Sequence, residues 1–174
     1  MKLLFISLGC DKNLVDSEEM LGMLAADGHE IVDDEDEAEV IIVNTCCFIG
    51  DAKEESVNTI LEMAEKKKAG TCKVLIVTGC MAQRYKKEIS EEIPEVDAIL
   101  GTTSYGDISK AVKEAQAGRH FEEYKSIDFL PDISGKRMLT TGGHFAYLKI
   151  AEGCDNRCAY CAIPMIRGRY RSRT

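Results

Sequence analysis

Three cysteines near the C-terminus, Cys154, Cys158 and Cys161, lie four and three residues apart in the run Glu152-Gly153-Cys154-Asp155-Asn156-Arg157-Cys158-Ala159-Tyr160-Cys161. Thiols on one short loop can all reach a single small metal centre. Structural zinc normally takes four protein ligands, and a cubane iron–sulfur cluster normally takes four cysteines. A three-cysteine loop is one ligand short, which leaves one iron of a cluster open to a small molecule. Three further cysteines, Cys10, Cys46 and Cys80, are separated by 36 and 34 residues, and each follows a short apolar run.

Those thiols need a scaffold, and the hydrophobic pattern supplies one. Lys2 to Leu8 is a nearly continuous apolar run ending at Gly9-Cys10, as a buried parallel strand would. A helix is predicted next, with Asp16 as N-cap, Glu19 as its capping-box partner, an apolar face of Met20, Leu21 and Leu24, and Gly28 as its stop. His29 to Val32 and Val40 to Val43 read as strands, the second ending at Asn44-Thr45-Cys46-Cys47. A further helix is predicted from Asp51, with Glu54 three residues on. Val57, Ile60, Leu61 and Ala64 follow the helical period, and Lys66 to Lys68 before Gly70 suit the negative end of the helix dipole. Lys73 to Thr78 predicts a strand ending at Gly79-Cys80, Ala82 to Ile89 a helix, and Asp97 to Leu100 a strand. Asp107 caps a last helix through Ile108, Ala111, Val112 and Ala115, which Gly118 terminates.

Strands alternating with helices imply an α/β fold, a parallel β-sheet flanked by helices on both faces. Cys10, Cys46 and Cys80 then each stand just past the C-terminal end of a parallel strand, the edge at which open α/β sheets bind ligands. Cys47 and Cys72 lack this placement. Adjacent Cys46 and Cys47 also point to opposite sides of an extended chain, so they cannot easily share one metal.

Among its 174 residues, 45% are hydrophobic and 30% charged, with no apolar run long enough to cross a bilayer. Met1 leads into Leu3 to Leu8, which lacks the basic front, length and cleavage site of a secretory signal. A cytoplasmic location and no membrane partner are expected. Eight cysteines in a reducing compartment favour metal or redox chemistry over a disulfide framework. The net charge of −8 is unevenly placed. Asp27 to Glu39 holds eight acids and no Lys or Arg and reads as a solvated face. Arg167 to Arg173 reads either as a solvated basic segment or as a surface for an acidic partner, ribosomal RNA or a cofactor carboxylate. His29, His120 and His144 are scattered and read as surface or loop residues. Gly142-Gly143 reads as a hinge into a strand over Phe145 to Ile150.

Cys154-x-x-x-Cys158-x-x-Cys161, with Tyr160 before the third cysteine, resembles the signature of the radical S-adenosylmethionine (radical SAM) enzymes. Ser7-Leu8-Gly9-Cys10-Asp11-Lys12-Asn13-Leu14-Val15-Asp16-Ser17-Glu18, Asn44-Thr45-Cys46 and Thr78-Gly79-Cys80-Met81-Ala82-Gln83-Arg84-Tyr85 are similar to the N-terminal domain of the methylthiotransferases within them. Gly153-Cys154 through Ile163-Pro164, then Arg167-Gly168-Arg169-Tyr170-Arg171-Ser172-Arg173, most resembles the branch that modifies a ribosomal protein; a sister branch modifies an adenosine of transfer RNA. Asp11 stands where the family often has proline, and Cys47 where another small residue is more usual.

The resemblance implies a Rossmann- or flavodoxin-like domain followed by the truncated start of a radical SAM partial α/β barrel. It implies two four-iron four-sulfur (4Fe-4S) clusters, one on Cys154, Cys158 and Cys161 that binds S-adenosyl-L-methionine, with Tyr160 near the adenine, and an auxiliary one on Cys10, Cys46 and Cys80. For Tyr160 the other reading is a core aromatic that supports the loop. The implied substrate is an aspartate β-carbon of small-subunit ribosomal protein twelve or the small ribosomal subunit carrying it, and the implied electron donor is a flavodoxin or ferredoxin. The rival class is a non-catalytic iron–sulfur or zinc module, with zinc on the C-terminal trio and a fourth ligand such as His144. The expected division is a domain over 1–118, a linker over 119–144 and a barrel start over 145–174. A whole α/β barrel needs on the order of 200 residues, so full catalysis by this stretch alone is not expected. The segment after Gly118 is expected to be poorly ordered, swapped between chains or folded back on the first domain.

Overall fold

The computed structural model describes residues 1–132, 135 and 137–173. Residues 133, 134 and 136 of the expected linker, and Thr174 of the expected barrel start, lie outside that set. In chain order the first domain runs β1 (Lys2–Ser7), α1 (Asp11–Ala26), β2 (Glu30–Val32), β3 (Val40–Thr45), α2 (Gly50–Lys68), β4 (Val74–Gly79), α3 (Cys80–Arg84), α4 (Lys86–Glu92), β5 (Ala98–Leu100), α5 (Ile108–Gln116) and β6 (Phe121–Glu123). The strands form one sheet in the order β2-β1-β3-β4-β5-β6, every pairing parallel. This is the expected parallel sheet flanked by helices.

The layering follows from the side chains. β3 and β4 are buried at every position, so they must be apolar on both faces. Val40, Ile42, Val74 and Ile76 pack with Met20 and Leu24 of α1 and Ile108, Ala111 and Val112 of α5 on one side. Ile41, Val43, Leu75 and Val77 pack with Ile60, Met63 and Ala64 of α2 and with Met81, Ala82 and Ile89 of α3 and α4 on the other. Cys47 and Cys72 belong to that second core. Because β2 lies on one side of β1 and β3 on the other, the chain reverses its winding between β1 and β3. A crevice opens at the carboxyl edge at such a reversal.

Several boundaries differ from the sequence-based expectation. α1 begins at Asp11, not after Asp16: the Leu14 N–H already donates to the Cys10 carbonyl at 3.0 Å. Asp16 is therefore no cap and Glu19 no capping-box partner; both sit inside the helix, Asp16 facing inward. α2 likewise starts at Gly50 with no side-chain cap, so Asp51 and Glu54 form no capping box. The helix expected over Ala82 to Ile89 is two short ones separated at Tyr85. β6 extends the sheet beyond Gly118.

Beyond β6 the chain folds back on the first domain. β7 (Ala151–Glu152) pairs antiparallel with β8 (Arg171–Ser172), and α6 (Ile163–Arg167) lies between them in sequence. The strand expected over Phe145 to Ile150 does not form; Phe145, Leu148 and Ile150 are exposed there. Ile166 of α6 is buried in the core on the α3 side, and the Thr102 hydroxyl donates to its carbonyl at 2.8 Å. Among the described residues no helix is long and apolar enough to cross a membrane.

Candidate metal centre

β1, β3 and β4 are neighbours, and Cys10, Cys46 and Cys80 follow directly on their carboxyl ends. The three thiols thus stand along one edge, Cys10 and Cys46 flanking the reversal between β1 and β3. Two glycines permit the close approach. A Cβ on Gly9, at φ +92°, would stand 2.6 Å from Cys46 Cβ and 2.8 Å from its Sγ. Gly79 has φ +93° and ψ −157°, a region essentially reserved for glycine, and a Cβ there would run into Asn44 Oδ1 and lie 2.5 Å from the Thr45 carbonyl oxygen. Burial pushes the Cys80 thiol above its ordinary pKa, with Cys46 and Cys10 adding to the effect and Arg167 opposing it.

Asn13 ties this edge together, a role the sequence did not announce. Its side chain is fully buried. Its amide N–H groups donate to the Leu8 carbonyl at 2.9 Å and the Thr45 carbonyl at 2.8 Å, fixing the turns before Cys10 and Cys46. Its Oδ1 accepts from Arg167 and from the Cys80 thiol, the latter at 3.6 Å. Asn44 Nδ2 donates to the Asn13 carbonyl and the Ser17 hydroxyl, while the Ser56 hydroxyl accepts from Cys46 N–H and donates to its carbonyl. Buried polar groups left unpaired are costly, so this set holds the three strand ends in a fixed relation.

Arg167 is buried, which corrects both expectations for it: it is neither a solvated residue nor a free anion contact. Its guanidinium meets Asp16 Oδ2 at 2.7 Å, Glu152 Oε2 at 3.2 Å, Asn13 Oδ1, and Cys80 Sγ at 3.7 Å. Lys149, also buried, bonds Asp16 Oδ1 and, at 2.8 Å, Glu152 Oε2. Two cations and two carboxylates therefore balance beneath the surface. Burial favours neutral Arg167, but Asp16, Cys80 and Glu152 outweigh it and keep the guanidinium charged. Burial likewise works to raise Glu152, yet Arg167 and Lys149 hold its pKa down to about 2. This network fastens β7 and α6 onto α1 at the cysteine edge.

The C-terminal trio sits on the loop between β7 and α6. Cys158 is exposed, Cys154 and Cys161 partly so, and the Cys161 N–H donates to the Cys158 carbonyl at 3.0 Å. Arg157 takes the left-handed φ of +50° that lets the loop turn within so few residues. The loop is moored at its base, where Cys154 N–H donates to the Gly168 carbonyl at 3.1 Å. Tyr160 is 89% exposed and packs into no core among the described residues. His144 is exposed and its ring nitrogen contacts the Gly142 carbonyl at 2.9 Å. Among the described residues no three His, Cys, Asp or Glu side chains are arranged to hold one metal ion, so the cysteines and His144 do not make a preformed zinc tetrahedron. A cubane cluster is a larger body that spreads its ligands further apart. Two sets of soft thiols, with no oxygen or nitrogen donor among them, suit iron–sulfur clusters and also zinc.

Residues 137–140 are held to α1 through Glu18. Its carboxylate accepts from Arg137 Nε at 2.7 Å and from the Thr140 N–H and hydroxyl at 2.7 and 2.9 Å. Burial works to raise this carboxyl, but Thr140 and Arg137 outweigh it and hold its pKa below the ordinary value. A carboxylate lowered on folding contributes stability that is complete above its unfolded pKa and is lost as the pH falls through its folded one. Hydrogen-exchange protection of the Met138 and Thr140 amides, taken relative to the intrinsic rate at each pH, is therefore expected to be high at neutral pH and to fall in acid, below the ordinary carboxylate range. In Glu18→Gln that protection should be low at both. Equal protection of the variant and the unaltered chain at neutral pH would contradict this anchoring.

Comparison with known proteins bears on the same edge. Residues 2–101, which carry β1 through β5 and all three strand-edge cysteines, match the model of the uncharacterized protein family UPF0004. The chain is 62% identical over 172 residues to a protein named ribosomal protein uS12 methylthiotransferase RimO from Lachnoclostridium phytofermentans. It is 54% identical to the protein of that name from Acetivibrio thermocellus and 51% identical to that from Clostridioides difficile. These similarities cover 97–99% of this chain but 38–39% of each relative, so the chain spans well under half the length of the proteins it matches. With the family match running through the sheet and its cysteine-bearing carboxyl edge, the chain belongs to the uncharacterized protein family UPF0004.

Proposed function

We propose that this chain is part of a radical SAM methylthiotransferase that places a methylthio group on the β-carbon of an aspartate of small-subunit ribosomal protein uS12. The observation that carries the proposal is the pairing of two cysteine trios. One is set by three adjacent strand ends at a winding reversal, and the other lies on a loop fastened by buried ion pairs over that same edge. The names of the relatives support the ribosomal-protein branch over the transfer RNA branch.

In this reading Cys154, Cys158 and Cys161 hold one 4Fe-4S cluster and leave an iron for S-adenosyl-L-methionine, and Cys10, Cys46 and Cys80 hold the auxiliary one. Together the bound groups supply radical cleavage of an unactivated C–H bond and the sulfur to be transferred, chemistry no side chain can provide. The protein's part is to position and to shield. Asn13 and Ser56 orient the strand ends, and the glycines let the backbone pass close to the thiols. Tyr160, exposed beside Cys161, is free to cover an adenine. Residues 145–174 are read as the opening of a second, barrel-type domain that a linker joins to the first, although the strand over Phe145 to Ile150 that would begin it does not form. The enzyme works in the cytoplasm, on the ribosomal protein or the small subunit, and takes electrons from a flavodoxin or ferredoxin.

The test is an iron count on chain purified without oxygen and reconstituted with iron and sulfide. About eight irons are expected, two cubane clusters, falling to about four in Cys46→Ala and in Cys154→Ala. Zinc retained with no iron in any form would overturn the proposal.

A further inference from the structure

Cys80 differs from the other two strand-edge cysteines in having a cation against its sulfur. We propose that Arg167 is a positioning residue for the strand-edge cluster, and that its guanidinium supplies the hydrogen bond the Cys80 sulfur needs once it binds iron, thereby setting that cluster's reduction potential. This rests on the reading above that Cys10, Cys46 and Cys80 hold a cluster.

The geometry separates two states of Cys80. As a thiol it donates to Asn13 Oδ1, 3.6 Å away. As an iron ligand it has lost that proton, and sulfur and carbonyl oxygen then face each other as two acceptors. Arg167 already stands between them, with the same nitrogen bonded to Asn13 Oδ1 and 3.7 Å from Cys80 Sγ. Cys80 is 7% exposed, so bulk water is poorly placed to take over the donation. The guanidinium is held by carboxylates from two elements, Asp16 of α1 and Glu152 of β7. A planar fork can serve all these partners at once, whereas the single ammonium of a lysine cannot.

Donors to ligand sulfur stabilise the extra electron of a reduced cluster and raise its potential. Asp16 and Glu152 offset much of Arg167's net charge, so the directed bond to sulfur is the larger part of its effect. Arg167 also lies in α6, six residues past Cys161, so the element that closes the C-terminal cysteine loop is the one that reaches the strand-edge cluster.

The experiment uses the full chain carrying Cys154→Ala, Cys158→Ala and Cys161→Ala, so that iron can bind at the strand edge alone. Iron per chain and the reduction potential, followed by electron paramagnetic resonance, are compared for Arg167, Arg167→Lys and Arg167→Met. The expected result is iron in all three and a potential that falls from Arg to Lys to Met. A folded Arg167→Lys chain that no longer takes up iron would also support the proposal, since circular dichroism would show an intact fold with a lost ligand environment. Iron-loaded variants with an unchanged or raised potential would overturn it, as would unfolding of both variants, either of which makes Arg167 a purely structural residue. No iron in the Arg167 parent would instead sink the cluster reading itself.

Discussion

Asp16→Ala is expected to destabilise the chain by roughly 3–5 kcal/mol, the range for removing one partner of a buried ion pair. Asp16 is 4% exposed, and its two oxygens meet Lys149 and Arg167, themselves 7% and 3% exposed. Without it, two buried cations share the single carboxylate of Glu152, and no solvent is near to screen the excess charge. Urea unfolding followed by circular dichroism gives the number. Proteolysis should add a local signature, faster cleavage within residues 149–167, because the same carboxylate fastens β7 and α6 to α1. Replacing both members of a pair, Asp16→Leu with Lys149→Met, should recover part of the loss, since well-packed apolar groups often substitute for a buried pair at little cost. A loss below about 1 kcal/mol in the single variant, the scale of a solvated pair, would mean that the network is hydrated and does not latch the two parts.

The parallel sheet was legible because its central strands are buried on both faces. Val40 to Val43 and Val74 to Val77 are unbroken apolar runs, and such runs between helical patterns admit few topologies. A residue pair with capping-box spacing does not by itself mark where a helix starts. Asp16 and Glu19 have the spacing of a capping box, but Asp16 is buried to receive Lys149 and Arg167, partners more than 130 residues away that a local pattern cannot reveal. β6 was missed for a similar reason. Phe121-Glu122-Glu123 is an edge strand of three residues with two charges, and its pairing with β5 decides its conformation more than its own composition does.

At the candidate site, the place of Cys10, Cys46 and Cys80 after three parallel strands was legible from the apolar runs that precede them. The residues between them were not. Asn13 reads in sequence as one more polar residue near a turn, and only the fold shows its amide spanning two strand ends. Arg167 stands among four arginines from 167 to 173, where surface exposure is the ordinary expectation. Its burial depends on three acceptors drawn from α1 and β7, and such long-range satisfaction carries no periodic signal.

Asn13→Ala should be at least as costly, about 3–5 kcal/mol, as two buried carbonyls lose their donors at about 1–3 kcal/mol each and Arg167 loses an acceptor. The carbonyls are those of Leu8 and Thr45, so the damage falls on the turns that aim Cys10 and Cys46. If the proposed cluster assignment holds, iron at the strand edge should be lost while iron on the C-terminal loop is retained, a drop of about four, one cubane. Asn13→Asp makes the sharper test because it keeps the shape. Its carboxylate still accepts from Arg167 and strengthens that pair, so stability should fall less than with alanine. It has no donor for Leu8 and Thr45, however, and it sets a negative charge beside the Cys80 sulfur and two carbonyl oxygens. Strand-edge iron should therefore be lost in Asn13→Asp even where the fold survives. If Asn13→Asp bound iron as the unaltered chain does, the amide donors would not be what holds the strand ends, and the cysteines would have to be aimed by the glycine turns alone.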